Sequence, residues 1–173
     1  MASTPFPEPR HDLADSAQLF VLYLDFFRDT VADKLTGLSD AQQRSAPLPS
    51  GWTLLEMVKH LAYMEQRWVV WGFLGEAVSE PWGDRDPDAD RWAVHDDETA
   101  DGLLALLREG GRRTSQVLGD HDLTELAADT GRFGGDADTP TLAWICFHVL
   151  QEYARHVGHV DVVRELLDGT TGE

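Results

Sequence analysis

The chain has 173 residues, 42% of them hydrophobic and six of them Trp, which suffices for a compact core in a single domain spanning residues 1–173. Its 31 Asp and Glu against 14 Lys and Arg give a formal net charge of −17, which repels phosphate backbones and anionic lipid and excludes nucleic acid and membrane surfaces as partners. The lone Cys146 excludes an internal disulfide framework and a Cys-rich zinc module, no apolar run reaches the roughly 20 residues that span a bilayer, and a cytoplasmic protein is expected.

Residues 1–12, rich in Pro and polar side chains, read as a frayed lead-in. Four stretches then carry apolar residues at helical spacing. The first is expected from Asp15 to Leu35, with Leu19, Leu22, Phe26, Phe27 and Val31 on one side and Gly37 as its stop. Leu38 to Gln43 suggests a short extra turn. A second helix is predicted from Thr53 to Leu74, because Thr53-Leu54-Leu55-Glu56 has the capping-box pattern in which hydroxyl and carboxylate close the first turn reciprocally. An acidic linker from Ser79 to Asp96, including Pro81-Trp82-Gly83-Asp84-Arg85-Asp86-Pro87-Asp88, is too rich in breakers for a regular element. The third helix is predicted from Glu98 to Leu118, across an unfavourable Gly110-Gly111. The fourth is predicted from Pro140, after a Thr139 cap, to Leu167, stopping at Asp168-Gly169. No strong strand alternation or internal repeat is present. Four amphipathic helices with long connections imply an all-α four-helix bundle, whose interior is a usual place for metal and ligand sites.

On the fourth helix His148, Glu152, His156 and His159 recur at spacings of four, four and three, which places them on one face. At about 100° per residue, His156 falls inside the stripe of Leu142, Ile145, Val149, Tyr153, Val160, Val163 and Leu167. Glu152 lies at its margin, and His148 and His159 fall further out, as solvent-edge or supporting groups. A buried carboxylate and imidazole are costly unless paired or coordinated. Glu152 and His156 at i and i+4 can share one metal ion, with His60 of the second helix as the third ligand. A simple ion pair, or a metal-free polar network of the three, satisfies the same pattern. His11, His95 and His121 read as surface residues and Cys146 as an inert core residue. The six Trp read as core and loop anchors, and Trp82, Asp84 and Trp92 of the acidic linker are suited to shaping a substrate mouth.

Two stretches carry a family resemblance. Ser50 to Ala62, followed by Glu65-Gln66-Arg67-Trp68, resembles the second-helix motif of the DinB-like (DinB/YfiT-like) superfamily of metalloenzymes, and His148 to Asp161 resembles its fourth-helix motif. The match is strongest to an actinobacterial branch related to the metal-binding domain of mycothiol-dependent maleylpyruvate isomerase. The resemblance implies a bundle in up-down-down-up order, a homodimer, and a divalent metal on His60, Glu152 and His156. His159 belongs to the motif as a supporting residue, and Arg155 and Asp161 read as surface or packing charges. Glu152 stands where many members have His, which makes the site harder. Zinc is expected first, with nickel or another transition metal as alternatives.

The function expected from these residues is metal-dependent transfer or isomerisation of a small-molecule substrate, with a low-molecular-weight thiol of the mycothiol type as cosubstrate. Three ligands leave an open position at which a metal lowers the pKa of a thiol or water. The competing expectation is a non-catalytic, metal-stabilised bundle acting as a stress or binding protein, with His148 or His159 closing the site as a fourth ligand.

Overall fold

A computed structural model describes residues 9–135 and 137–171 of the chain. They are mostly helical: α1 (Ser16–Leu35), α2 (Asp40–Gln43), α3 (Leu54–Glu65) running into a π-helix (Gln66–Phe73), α4 (Ala100–Asp120) and α5 (Leu142–Asp168). A two-residue antiparallel ladder, β1 (Arg85–Asp86) with β2 (Arg91–Trp92), and a 3₁₀ turn (Gly131–Phe133) lie between the long helices. The chain is all-α in class. Helix α1 packs on α4 and α5, and α3 packs on the same two helices. Among the described residues no helix is long and apolar enough to cross a membrane. The expected lead-in, 1–12, falls largely outside the described residues.

The start of α3 follows from its sequence. Thr53 Oγ1 accepts from Glu56 N at 3.1 Å, and Glu56 Oε2 accepts from Thr53 N at 2.8 Å. The helix is buried on nearly every side, and its polar residues there are paired: Lys59 donates to Glu98 at 2.7 Å, ahead of α4. The continuation to Leu74 keeps a helical path but widens into π turns, with Leu74 N donating to Val69 O at 3.0 Å. Gly75 ends it at φ +65°, where any Cβ would meet Thr130 Oγ1 at 2.1 Å.

Four expectations are corrected. The buried side of α1 is Phe20, Leu24, Arg28, Val31 and Leu35, and Leu22 is exposed, because the core accepts the face that also carries Arg28 to Glu65. Helix α4 begins at Ala100, capped by Thr99, because Glu98 is drawn away to Lys59 and to His95 N. Helix α5 begins at Leu142 rather than Pro140, with Thr141 Oγ1 as cap at 3.3 Å from Trp144 N. Pro140 instead offers its carbonyl to Ala127 N at 2.8 Å, part of a bridge between residues 126 and 141. The acidic linker holds the ladder Arg85–Asp86/Arg91–Trp92, whose tip is tied by Asp86 Oδ1 accepting from Asp88 N at 2.8 Å and Ala89 N at 3.1 Å.

Helix α4 runs through Gly110-Gly111 for a steric reason. A Cβ on Gly111 would lie 2.5 Å from Arg28 Nε, so the glycine lets α4 pass the buried Arg28 guanidinium. Arg28 donates to Glu65 Oε2 at 3.2 Å and forms a second, very short bond to Oε1, while Tyr153 Oη donates to Glu65 Oε2 at 2.7 Å. One buried carboxylate thus links α1, α3 and α5.

Candidate metal centre

Helices α3 and α5 bring His60, Glu152 and His156 together as the two sequence motifs imply. One ligand-capable atom of each lies within 4.8 Å of the other two, and no further group of three or more such residues occurs among the described residues. Glu152 Oε2 is 3.1 Å from His156 Nε2 and 3.5 Å from His60 Nε2. The hydrogen bond from His156 first, and the neighbouring His60 ring second, hold the Glu152 carboxyl well below the usual carboxylate range. Both imidazoles are buried and the carboxylate is half-buried.

His60 is held from its other edge by a residue that the periodicity of the sequence does not point to. Asp84, fully buried, takes Nδ1 of His60 at 2.9 Å and the Arg67 guanidinium on both its oxygens, Nη2 at 2.9 Å. Burial pushes the Asp84 carboxyl up, but the bonds from His60 and Arg67 outweigh it and leave it below its ordinary value. With Asp84 ionised and already accepting from Arg67, Nδ1 of His60 is the donor. That leaves Nε2, which is buried and has no hydrogen-bond partner, as a lone pair facing Glu152. A carboxylate-bonded imidazole with its far nitrogen bare is the arrangement of a metal-ligating histidine. The residues present therefore fit a divalent ion.

Aromatic rings roof the cluster. Trp92, from β2, stacks on His60 with centroids 3.8 Å apart, and Trp52 stacks on Trp92 at 4.4 Å. The expectation for Trp92 at a pocket mouth thus becomes a ring lying directly on a candidate ligand. Trp82 is exposed and carries the Arg67 guanidinium over its face at 4.5 Å. His148 lies outside the cluster, its Nε2 3.7 Å from Glu152 Oε1 and its ring 4.0 Å from Trp68. Burial lowers its pKa. His159 stands over Trp52 at 5.3 Å rather than over Glu152. Asp161 pairs with Lys34 at 2.6 Å and Arg155 is exposed, as expected of packing and surface charges.

Cys146 is buried, and burial pushes its thiol up to about 12.

The family model for mycothiol-S-transferase matches residues 19–169, which takes in every residue of this cluster. The chain belongs to the mycothiol-S-transferase family. It is a DinB-like family, in agreement with the resemblance carried by the two motifs. Among solved structures, a crystal structure of a conserved protein from Enterococcus faecalis is similar at TM-score 0.65 and 16% identity, over 91% of this chain and 100% of that one, a likeness of fold. The comparison with curated proteins found no match. In this family member the matched region thus joins a three-donor cluster to a family description built on thiol transfer.

Proposed function

We propose that this chain is a divalent-metal-dependent enzyme that joins mycothiol, through its sulfur, to an electrophilic small-molecule substrate, with His60, Glu152 and His156 holding the ion in an up-down-down-up four-helix bundle. The observation that carries the reading is the bare, buried Nε2 of His60 facing Glu152 while Nδ1 is engaged by Asp84. Two nitrogen donors and one oxygen donor suit zinc first and nickel or another transition metal next. When bound there, the ion supplies a Lewis-acidic position at which a thiol loses its proton near neutral pH. The chain's own residues do the rest. Asp84 and Arg67 orient His60, Glu152 brings the negative charge that completes the donor set, and Trp52 and Trp92 keep water from one side of it. The protein's own thiol does not compete, since Cys146 is buried and its thiol stays protonated until about pH 12.

Mycothiol consumption with an electrophilic acceptor, followed with and without chelator, tests this. Turnover that falls at least tenfold on chelation and returns with zinc is expected. Turnover indifferent to chelation would remove metal dependence from the proposal.

His148 favours a second reading, a non-catalytic, metal-stabilised stress or binding protein. Its Nε2 already stands 3.7 Å from the far oxygen of Glu152, and a small rotation would bring it in as a fourth ligand and close the site. X-ray absorption showing four protein donors and no exchangeable water would support that reading over the enzyme.

A further inference from the structure

We infer that the hairpin from Asp84 to Trp92 is a clamp on the His60 imidazole, with Asp84 and Arg67 as positioning residues that place its lone pair on Nε2. The inference rests on the proposal that His60 is a metal ligand and adds the groups that make it one.

Three contacts carry it. Asp84 fixes the edge of the ring through Nδ1 at 2.9 Å, and Trp92 fixes its face at a centroid distance of 3.8 Å with 17° between planes. Those two residues sit at the two ends of one hairpin, whose base is closed by Ala93 N donating to Asp84 O at 3.0 Å. An edge contact and a face contact together remove both torsional freedoms of the side chain. The hairpin is in turn fastened to α3, the helix that bears His60. Arg91 Nη2 donates to Gly51 O at 2.8 Å and to Glu56 Oε1 at 3.1 Å, the same carboxylate that caps α3. Arg67 comes from the start of the π-helix and also donates to Pro81 O at 2.9 Å, so it ties both the carboxylate and the incoming loop to the junction of α3 and that helix. Gly83 is needed beside Asp84, because a Cβ there would stand 2.6 Å from the Tyr63 ring.

The hydrogen-bond geometry explains why a charged pair is used. Arg67, on both oxygens, keeps Asp84 an acceptor. The ring proton is thereby committed to Nδ1, and preorganisation of this kind raises metal affinity without adding a ligand.

Long-range proton–nitrogen NMR on ¹⁵N-histidine-labelled, metal-free protein at alkaline pH reads the tautomer directly. Zinc affinity by competition with a chromophoric chelator reads the consequence. Wild type is expected to carry the His60 proton on Nδ1. In Asp84→Asn one of the two oxygens becomes an NH2 donor; with the remaining oxygen on Arg67 Nη1 that NH2 faces Nδ1 of His60, so the proton is expected to move toward Nε2, with zinc affinity about 10–100-fold weaker. Arg67→Gln/Asp84→Asn, which removes both buried charges together, serves if the single variant folds poorly. Far-UV circular dichroism and melting of the metal-free proteins control for structure. A wild-type proton on Nε2, or a folded variant with unchanged tautomer and affinity, would overturn the clamp. Absence of zinc binding by wild type would instead remove the metal proposal, and the tautomer comparison alone would then decide the clamp.

Discussion

Glu65 is fully buried, yet it is a charge, and three helices meet on it. Arg28 and Tyr153 satisfy both its oxygens. Burial, ahead of the neighbouring Glu65 charge, raises the Tyr153 hydroxyl well above its ordinary value, so it stays a donor. Breaking such a pair from one side strands a buried charge, which costs about 3–5 kcal/mol, whereas replacing both members with apolar groups is often neutral. Urea denaturation of Arg28→Met should therefore show a loss of about 3–5 kcal/mol, and Arg28→Met/Glu65→Leu/Tyr153→Phe, which also removes the hydroxyl that donates to Glu65, should recover most of it. Losses that simply add would show that the residues act independently. The contrast with the metal cluster explains what was legible in sequence at this scale. His60, Glu152 and His156 stand out because polar, metal-capable residues at helical spacing lie on or beside apolar stripes. Asp84 does not, although it is the most buried acid near the site. It sits 24 residues from His60 in a loop without periodicity, among Asp86, Asp88 and Asp90, and only its fold-dependent meeting with Arg67 separates it from solvated neighbours. The Arg28 to Glu65 pair was hidden for a related reason: hydrophobic patterning assigns charged residues to the surface.

Elements were more legible than their ends. The capping box at Thr53/Glu56 fixes the start of α3 from local chemistry alone, and the short turn expected from Leu38 to Gln43 is α2, where the structure adds a second box at Ser39/Gln42. The start of α5 depends on a bridge to residues 125–127, a tertiary contact that overrides the favourable Pro140. The π-helix following α3 is invisible to a periodicity reading, because the same bulky residues, Trp68 and Trp71 among them, suit either winding. Helix α4 offers a sharper test. Gly110 and Gly111 are adjacent and both disfavour helix, but their surroundings differ. A Cβ at Gly110 meets only Glu65 Oε2 at 3.9 Å, an ordinary contact, while one at Gly111 would stand 2.5 Å from Arg28 Nε. Gly110→Ala is expected to stabilise by up to about 1 kcal/mol, the difference in helix propensity. Gly111→Ala should lower the melting temperature despite the same propensity gain. If both substitutions raised it, α4 would not be packed against the Arg28 guanidinium.

At the scale of the molecule, the net charge of −17 and the site are nearly separate matters. Most acids decorate helix surfaces and the linker, whereas the metal-capable cluster takes one half-buried carboxylate, Glu152, and two of seven histidines. The π-helix and the linker hairpin complete the site from outside α3 and α5, which places these irregular segments at the one cluster of metal-capable groups among the described residues. Family membership supplies thiol transfer as the context, and the three-donor cluster is the means we propose for it. The central claim is that His60, Glu152 and His156 form one metal site. Elemental analysis of protein purified without a histidine tag, compared with His60→Ala and His156→Ala, tests it most directly. About one equivalent of a divalent transition metal per chain in wild type, lost in both variants, is the expected result. Equal metal content in all three proteins would contradict it.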